Sequence, residues 1–181
     1  MALGATIFKV QIAFSNFVTH HYDDLSFTMA MHPSENESRL MARLATYLFF
    51  IDAENNLEFS KGLSTTEEPE MWSKNFASEI DHWIELGEPD EKRLRQASGK
   101  SHRVSAVAYH DNTYEKWFDK VKGKFIYNDK VGLYFLEVFE NGPLDKIVEK
   151  SMRLSCTIDE GQEMYLGNDD QRIGVRLKTL L

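Results

Sequence analysis

One cysteine, four prolines and no long apolar run set the first limits on this 181-residue chain. Cys156 alone cannot close an internal disulfide, and a single thiol is no metal site. A reducing compartment, the cytoplasm, is therefore expected, with Cys156 serving as a small strand hydrophobe. No stretch nears the roughly 18 apolar residues of a membrane-spanning helix. The opening MALGATIFKVQIAF is broken by Lys9 and Gln11 and does not read as a signal peptide. Familiar chemical motifs are missing too: there is no GxGxxG, GxxxxGK[ST], HExxH or GxSxG. The histidines are His20, His21, His32, His82, His102 and His110, and no two share the close helical spacing of a zinc pair. At 42% hydrophobic and 28% charged residues the composition is that of a globular protein, so disorder is excluded.

Positive charge is scarce in the first half. Residues 1–90 carry 5 Lys and Arg against 15 Asp and Glu, whereas residues 91–181 carry 16 against 14. The net charge of −8 argues against strong non-specific binding to DNA or to an anionic membrane. A local basic surface remains available in Lys92, Arg93, Arg95, Lys100 and Arg103, followed by Lys116, Lys120, Lys122 and Lys124. Its simplest alternative is a solvated helix face.

The length suits one domain over residues 1–181. Residues 4–14 and 22–31 read as a long hairpin. Ser34 followed by Glu37 forms a capping-box pattern ahead of apolar positions at 3.6 spacing, which predicts a helix over 34–52. Strands follow at 57–63, 69–75 and 79–87, with an acidic loop at 64–70. Pro89, Asp90 and Glu91 open a helix that Gly99 ends. The run 102–110 reads as a buried parallel strand. Further elements are a helix over 114–121, a strand over 131–139, a short helix over 143–150 and three terminal strands. Hairpins mixed with crossovers mean an α/β or α+β fold with a mixed sheet.

The stretch from Glu68 to Arg95 carries the most chemistry. Alternation over 79–87 puts Asp81, Trp83 and Glu85 on one face and Ile80, His82, Ile84 and Leu86 on the other. A hairpin pairing Asn75 with Ile80 sets Glu70 directly opposite Glu85, with Cβ atoms roughly 5 Å apart. The register shifted by one residue puts them on opposite faces, and the sequence does not choose. Facing carboxylates repel, so one takes a proton or a cation sits between them. Mg²⁺ accepts few carboxylates plus waters, which such a pair provides. Repulsion alone also predicts that removing either acid stabilises the fold.

MALGATIFK at the start, HPSE at 32–35 with Arg39, and EPE-x-W followed by WIELGEPDEKRL together resemble the YaeQ family of small bacterial proteins over essentially the whole chain. The resemblance implies a variant of the PD-(D/E)xK, restriction-endonuclease-like nuclease fold, with its core over residues 34–110. By that likeness Pro69-Glu70 takes the Pro-Asp position. Glu85-Leu86-Gly87 takes (D/E)-x-K, with Gly87 in the place of the lysine. Glu35 matches the helix glutamate that completes the metal site in many such nucleases. Some nucleases of this fold supply the missing charge from the next helix, where Leu94 and Ala97 mark the buried face and Arg93 lies at its edge. An arginine there would stabilise phosphate charge, since it cannot act as a base.

The expected function is Mg²⁺- or Mn²⁺-dependent cleavage of DNA or RNA, with Glu35, Glu70 and Glu85 holding the ion and Arg93 the phosphate. The alternative is a degenerate nuclease fold that binds nucleic acid or regulates without catalysis. Each residue also has a plainer role. Glu35 suits the helix dipole or a pair with Arg39, Glu70 a loop acid, and Glu85 a salt bridge to Arg93.

Overall fold

The computed structural model describes residues 4–54, 56–60 and 67–181. Its elements are β1 (Thr6–Asn16), β2 (His21–Met31), α1 (Glu37–Phe50), β3 (Glu58–Phe59), β4 (Met71–Lys74), β5 (Ile80–Leu86), α2 (Glu91–Lys100), β6 (Ser101–Ala108), α3 (Tyr114–Phe125), β7 (Val131–Glu140), a 3₁₀ turn (Leu144–Ile147), β8 (Ser151–Ile158), β9 (Glu163–Gly167) and β10 (Arg172–Thr179). The mixed α/β class and the element order are those expected. Part of the expected strand at 57–63 and of the loop at 64–70 falls outside the described residues. No described helix is long and apolar enough to cross a membrane.

The chain forms two compact units, Met1–Ala45 with Val138–Arg176, and Thr46–Glu137 with Leu177–Leu181. In the first, the strand order is β2-β1-β8-β9-β10. β1 pairs antiparallel with β2 and parallel with β8. Alternation sorts the side chains: Phe8, Val10, Ile12 and Phe14 of β1 are buried with Met152, Leu154, Cys156 and Ile158 of β8. Cys156 is the buried strand hydrophobe its sequence suggests. Helix α1 starts later than its capping-box pattern indicates. Asn36, not Ser34, takes the N-terminal cap, accepting the Arg39 N–H at 2.9 Å. The Ser34 hydroxyl is held instead 2.7 Å from His32 Nδ1.

The second unit has the order β7-β6-β5-β4-β3. β3, β4 and β5 are antiparallel; β5, β6 and β7 are parallel. On one face α2 contributes Leu94 and Ala97, and α3 contributes Trp117, Val121 and Phe125. They pack with Trp83, Val104, Ala106, Ala108, Leu133 and Phe135. Gly99 does not end α2. The helix runs to Lys100 and hands directly to β6, because the Ser101 hydroxyl bonds the Ala97 carbonyl at 2.8 Å. The β4–β5 register is the first of the two the sequence left open over Met71↔Ile84, Trp72↔Trp83 and Ser73↔His82, then shifts at a bulge between Ser73 and Lys74. Asn75 therefore does not pair with Ile80; Lys74 does. The Asn75 side chain accepts the N–H groups of Ala77 and Glu79, which organises the loop between Lys74 and Ile80.

Candidate functional site

Glu70 stands one residue before β4, beyond the last β4–β5 pair, Met71↔Ile84, and close enough to Glu85 for its charge to be felt there. The ladder ends at Met71; the Glu70 N–H instead donates to the Ile84 carbonyl at 3.1 Å. Glu85 lies near the end of β5, on the face of Trp83. Its Oε1 accepts from Trp83 Nε1 at 2.6 Å and from Arg93 Nε at 2.6 Å. Arg93 projects from the first turn of α2, where Asp90 caps the helix by accepting the Arg93 N–H at 2.8 Å. A second Arg93 nitrogen donates to the Glu68 carbonyl at 2.5 Å, and the guanidinium lies 5.0 Å from the Trp83 ring centroid. Burial pushes the Glu85 carboxyl above its ordinary pKa range, and the charge of Glu70 adds to the shift. The Trp83 N–H and Arg93 pull the other way without cancelling it.

Gly87, where the motif lysine would stand, has φ of +108°. An L-residue rarely adopts that backbone, so the position favours glycine and resists any side chain. The nearest cationic substitute on the next helix is Arg93, already bonded to Glu85.

Glu35 belongs to the first unit. Its side chain is only 3% exposed and is bracketed by arginines, with Arg43 at 3.3 Å and Arg39 at 3.4 Å. It also accepts the His32 N–H at 3.2 Å. Arg43 in turn donates to the Ala30 carbonyl at 2.7 Å, tying the start of α1 to the end of β2. Among the described residues no three His, Cys, Asp or Glu side chains are gathered as a metal-ligand group. Of the basic residues in the 92–124 stretch, Arg93, Arg95, Lys100, Arg103 and Lys122 are ion-paired, with Glu85, Glu91, Glu67, Glu54 and Asp119 in turn. Much of that positive surface is thus locally neutralised.

A second polar cluster, which the sequence reading missed, occupies the other face of β5. His82 is 1% exposed. Its Nδ1 lies 2.8 Å from Glu54 Oε1 and its Nε2 lies 2.8 Å from Ser105 Oγ. Ser73 donates to the other Glu54 oxygen at 2.6 Å, and Arg103 pairs with the same carboxylate. Burial lowers the His82 pKa to about 4, so the imidazole is neutral at pH 7. One signal was readable: Ser73 and His82 both fall on inward positions of adjacent strands, and buried polar groups require partners.

The YaeQ protein family model matches residues 1–177. YaeQ of Escherichia coli (strain K12) is 32% identical over 177 residues, spanning 98% of this chain and 96% of that protein. YaeQ of Salmonella typhi is 33% identical over 161 residues, spanning 89% and 88%. The crystal structure of YaeQ from Xanthomonas axonopodis pv. citri is similar with a TM-score of 0.88 at 28% identity, covering 97% of this chain and 98% of that one. That of YaeQ from Pseudomonas syringae gives 0.82 at 27% identity, covering 98% and 96%. With a family model spanning nearly its full length, the chain belongs to the YaeQ family.

Proposed function

We propose that this chain is a divergent PD-(D/E)xK-type phosphodiesterase of the cytoplasm, acting on nucleic acid with a divalent cation held at Glu70 and Glu85. The observation that supports the reading is the nearness of Glu70, at the start of β4, to Glu85 on β5, whose carboxyl pKa its charge helps to raise. Two facing carboxylates fit Mg²⁺ or Mn²⁺, which take one or two such ligands and complete their shell with water and substrate oxygens. The ion, when bound, neutralises the scissile phosphate and supplies a water of lowered pKa.

The chain's own groups do the positioning. Trp83 Nε1–H fixes the Glu85 carboxylate, and the β5 backbone fixes its height beside Glu70. Arg93 pairs with Glu85; its charge is permanent, so it would stabilise phosphate charge and take no proton. With no strand lysine, no obvious side chain assists deprotonation of the attacking water, and turnover is expected to be slow.

One observation favours the second reading, a nucleic-acid-binding or regulatory protein without catalysis. Glu85 and Glu35 both already have arginine partners. Cleavage of labelled single- and double-stranded DNA and RNA separates the two. Wild type should cut slowly with Mg²⁺ and better with Mn²⁺, and identically purified Glu85→Ala should not cut. No cleavage by either protein on any substrate would favour the binding reading.

A further inference from the structure

The first unit carries a cavity whose lining is cationic, in a chain whose net charge is −8. It opens on the outward face of β1, β2 and β8, has a volume of about 540 Å³ and is lined by Lys9, Gln11, Ser26, Thr28, Ser151 and Arg153, with Val10, Phe27 and Met152 between them in the strands. The size falls within the range of ligand sites. Register explains how it is built. Lys9 pairs across to Thr28 and Ser151, and Gln11 pairs across to Ser26 and Arg153. These two cross-strand rows share one sheet face, about 7 Å apart along the strands and with about 5 Å between neighbours within a row. The apolar residues of the same strands, Phe8, Val10, Ile12, Met152 and Leu154, are buried on the opposite face.

The lining holds two cations, three hydroxyls and one amide, and no carboxylate. Among the described residues neither the Lys9 nor the Arg153 side chain has a hydrogen-bond or ion-pair partner. Arg39, Arg43, Arg93, Arg95, Arg103 and Arg176, by contrast, are each ion-paired. Acids do stand nearby, but at the flanks. Asp24 lines the hollow on one side, and Glu149, Asp169 and Asp170 line the hollow on the other, with Arg153 common to both.

We propose that this cavity binds a compact phosphate group, its charge met by Lys9 and Arg153 and its oxygens by Gln11 and Ser151, which neighbour them on β1 and β8. A guanidinium beside an ammonium and hydroxyl donors is the donor set that phosphate oxygens take. The flanking acids set the size of the ligand. A long polyanion laid across the face meets Asp24 or the Glu149, Asp169 and Asp170 group, whereas a phosphate ion or a phosphomonoester fits between them. The site is independent of the acids on β5 and needs no metal.

NMR titration of the whole ¹⁵N-labelled protein in the presence of a chelator tests it. The probes are inorganic phosphate, a nucleoside 5′-monophosphate, the matching nucleoside and a single-stranded oligonucleotide. Phosphate and the monophosphate should shift the amides of Gln11, Ser26, Thr28, Ser151 and Arg153 saturably, while the nucleoside leaves them in place. A tighter monophosphate identifies a phosphomonoester as the ligand; equal affinity identifies the free ion. The exposed-face double variant Lys9→Gln/Arg153→Gln should bind about tenfold more weakly while retaining a wild-type spectrum elsewhere. Absence of saturable shifts, unchanged affinity in the double variant, or an oligonucleotide that binds more tightly than the monophosphate would each overturn the proposal. Because the chelator removes divalent cations, none of these results depends on catalysis at Glu70 and Glu85.

Discussion

The two faces of β5 handle a buried ionisable group in opposite ways. On one, Glu85 stays within reach of a permanent charge, Arg93, and of the Trp83 N–H, while burial and Glu70 push its pKa upward. On the other, His82 gives up its proton altogether. The neighbouring carboxylate, Glu54, is already paired with Arg103, so burial prevails and the imidazole stays neutral to about pH 4. The difference lies in what each partner has left to give. Arg93 and Trp83 aim donors at Glu85, whereas the negative charge of Glu54 is already met before it reaches His82. The first face keeps a charged pair, Glu85 with Arg93, beside a second acid, Glu70. The second is a closed network joining Glu54 to β4, β5 and β6.

The largest effect that sharpens this contrast is a pH dependence. His82 binds a proton at about 4 when folded and at 6.5 when free, so the unfolded chain takes up more protons between those values. Stability contributed by neutral His82 is full above about pH 6.5 and falls as pH drops toward 4, by about 3 kcal/mol for a shift of this size. Urea unfolding at pH 7 and near pH 4 should show that loss in wild type and much less of it in His82→Gln. Equal losses in both proteins would mean that His82 is not the group responsible.

The next effect reverses an expectation from the sequence. Like-charge repulsion alone makes Glu85→Ala stabilising. The structure instead leaves the Trp83 N–H and the Arg93 guanidinium, 19% exposed, without their shared acceptor. A loss of about 2 kcal/mol in denaturant unfolding at pH 7 is expected. A smaller effect concerns Gly87, whose φ of +108° makes the position hostile to a side chain. Gly87→Lys should lower stability by about 1 kcal/mol or more. A variant as stable as wild type would show that the backbone at Gly87 does not exclude a side chain.

Much of this was legible in the residues. Hydrophobic periodicity gave the element order, whereas the β4–β5 register was left between two alternatives, of which the structure adopts the first over Met71–Ser73. What escaped depends on side chains that capture backbone. Ser34 and Asn36 are both good caps, and only tertiary context places the first with His32 and the second at the helix start. The bulge after Ser73 arises where the Asn75 side chain takes two loop N–H groups, which no periodicity encodes. At the candidate site, the Glu85–Arg93 bond was one of two open readings, and the Arg39 pair with Glu35 was another. Arg43 beside Glu35 was not foreseen, because a partner eight positions on falls outside simple helical spacing. Glu54 lies in a turn, 28 residues before the histidine it meets.

The central claim is that Glu70 and Glu85 together hold a divalent cation. Calorimetric titration of Mn²⁺ into wild type, Glu70→Gln and Glu85→Gln at pH 7 tests it most directly. The account predicts one saturable site per chain, about tenfold or more weaker in Glu70→Gln and lost in Glu85→Gln. No saturable Mn²⁺ binding, or equal affinity in all three proteins, would contradict it.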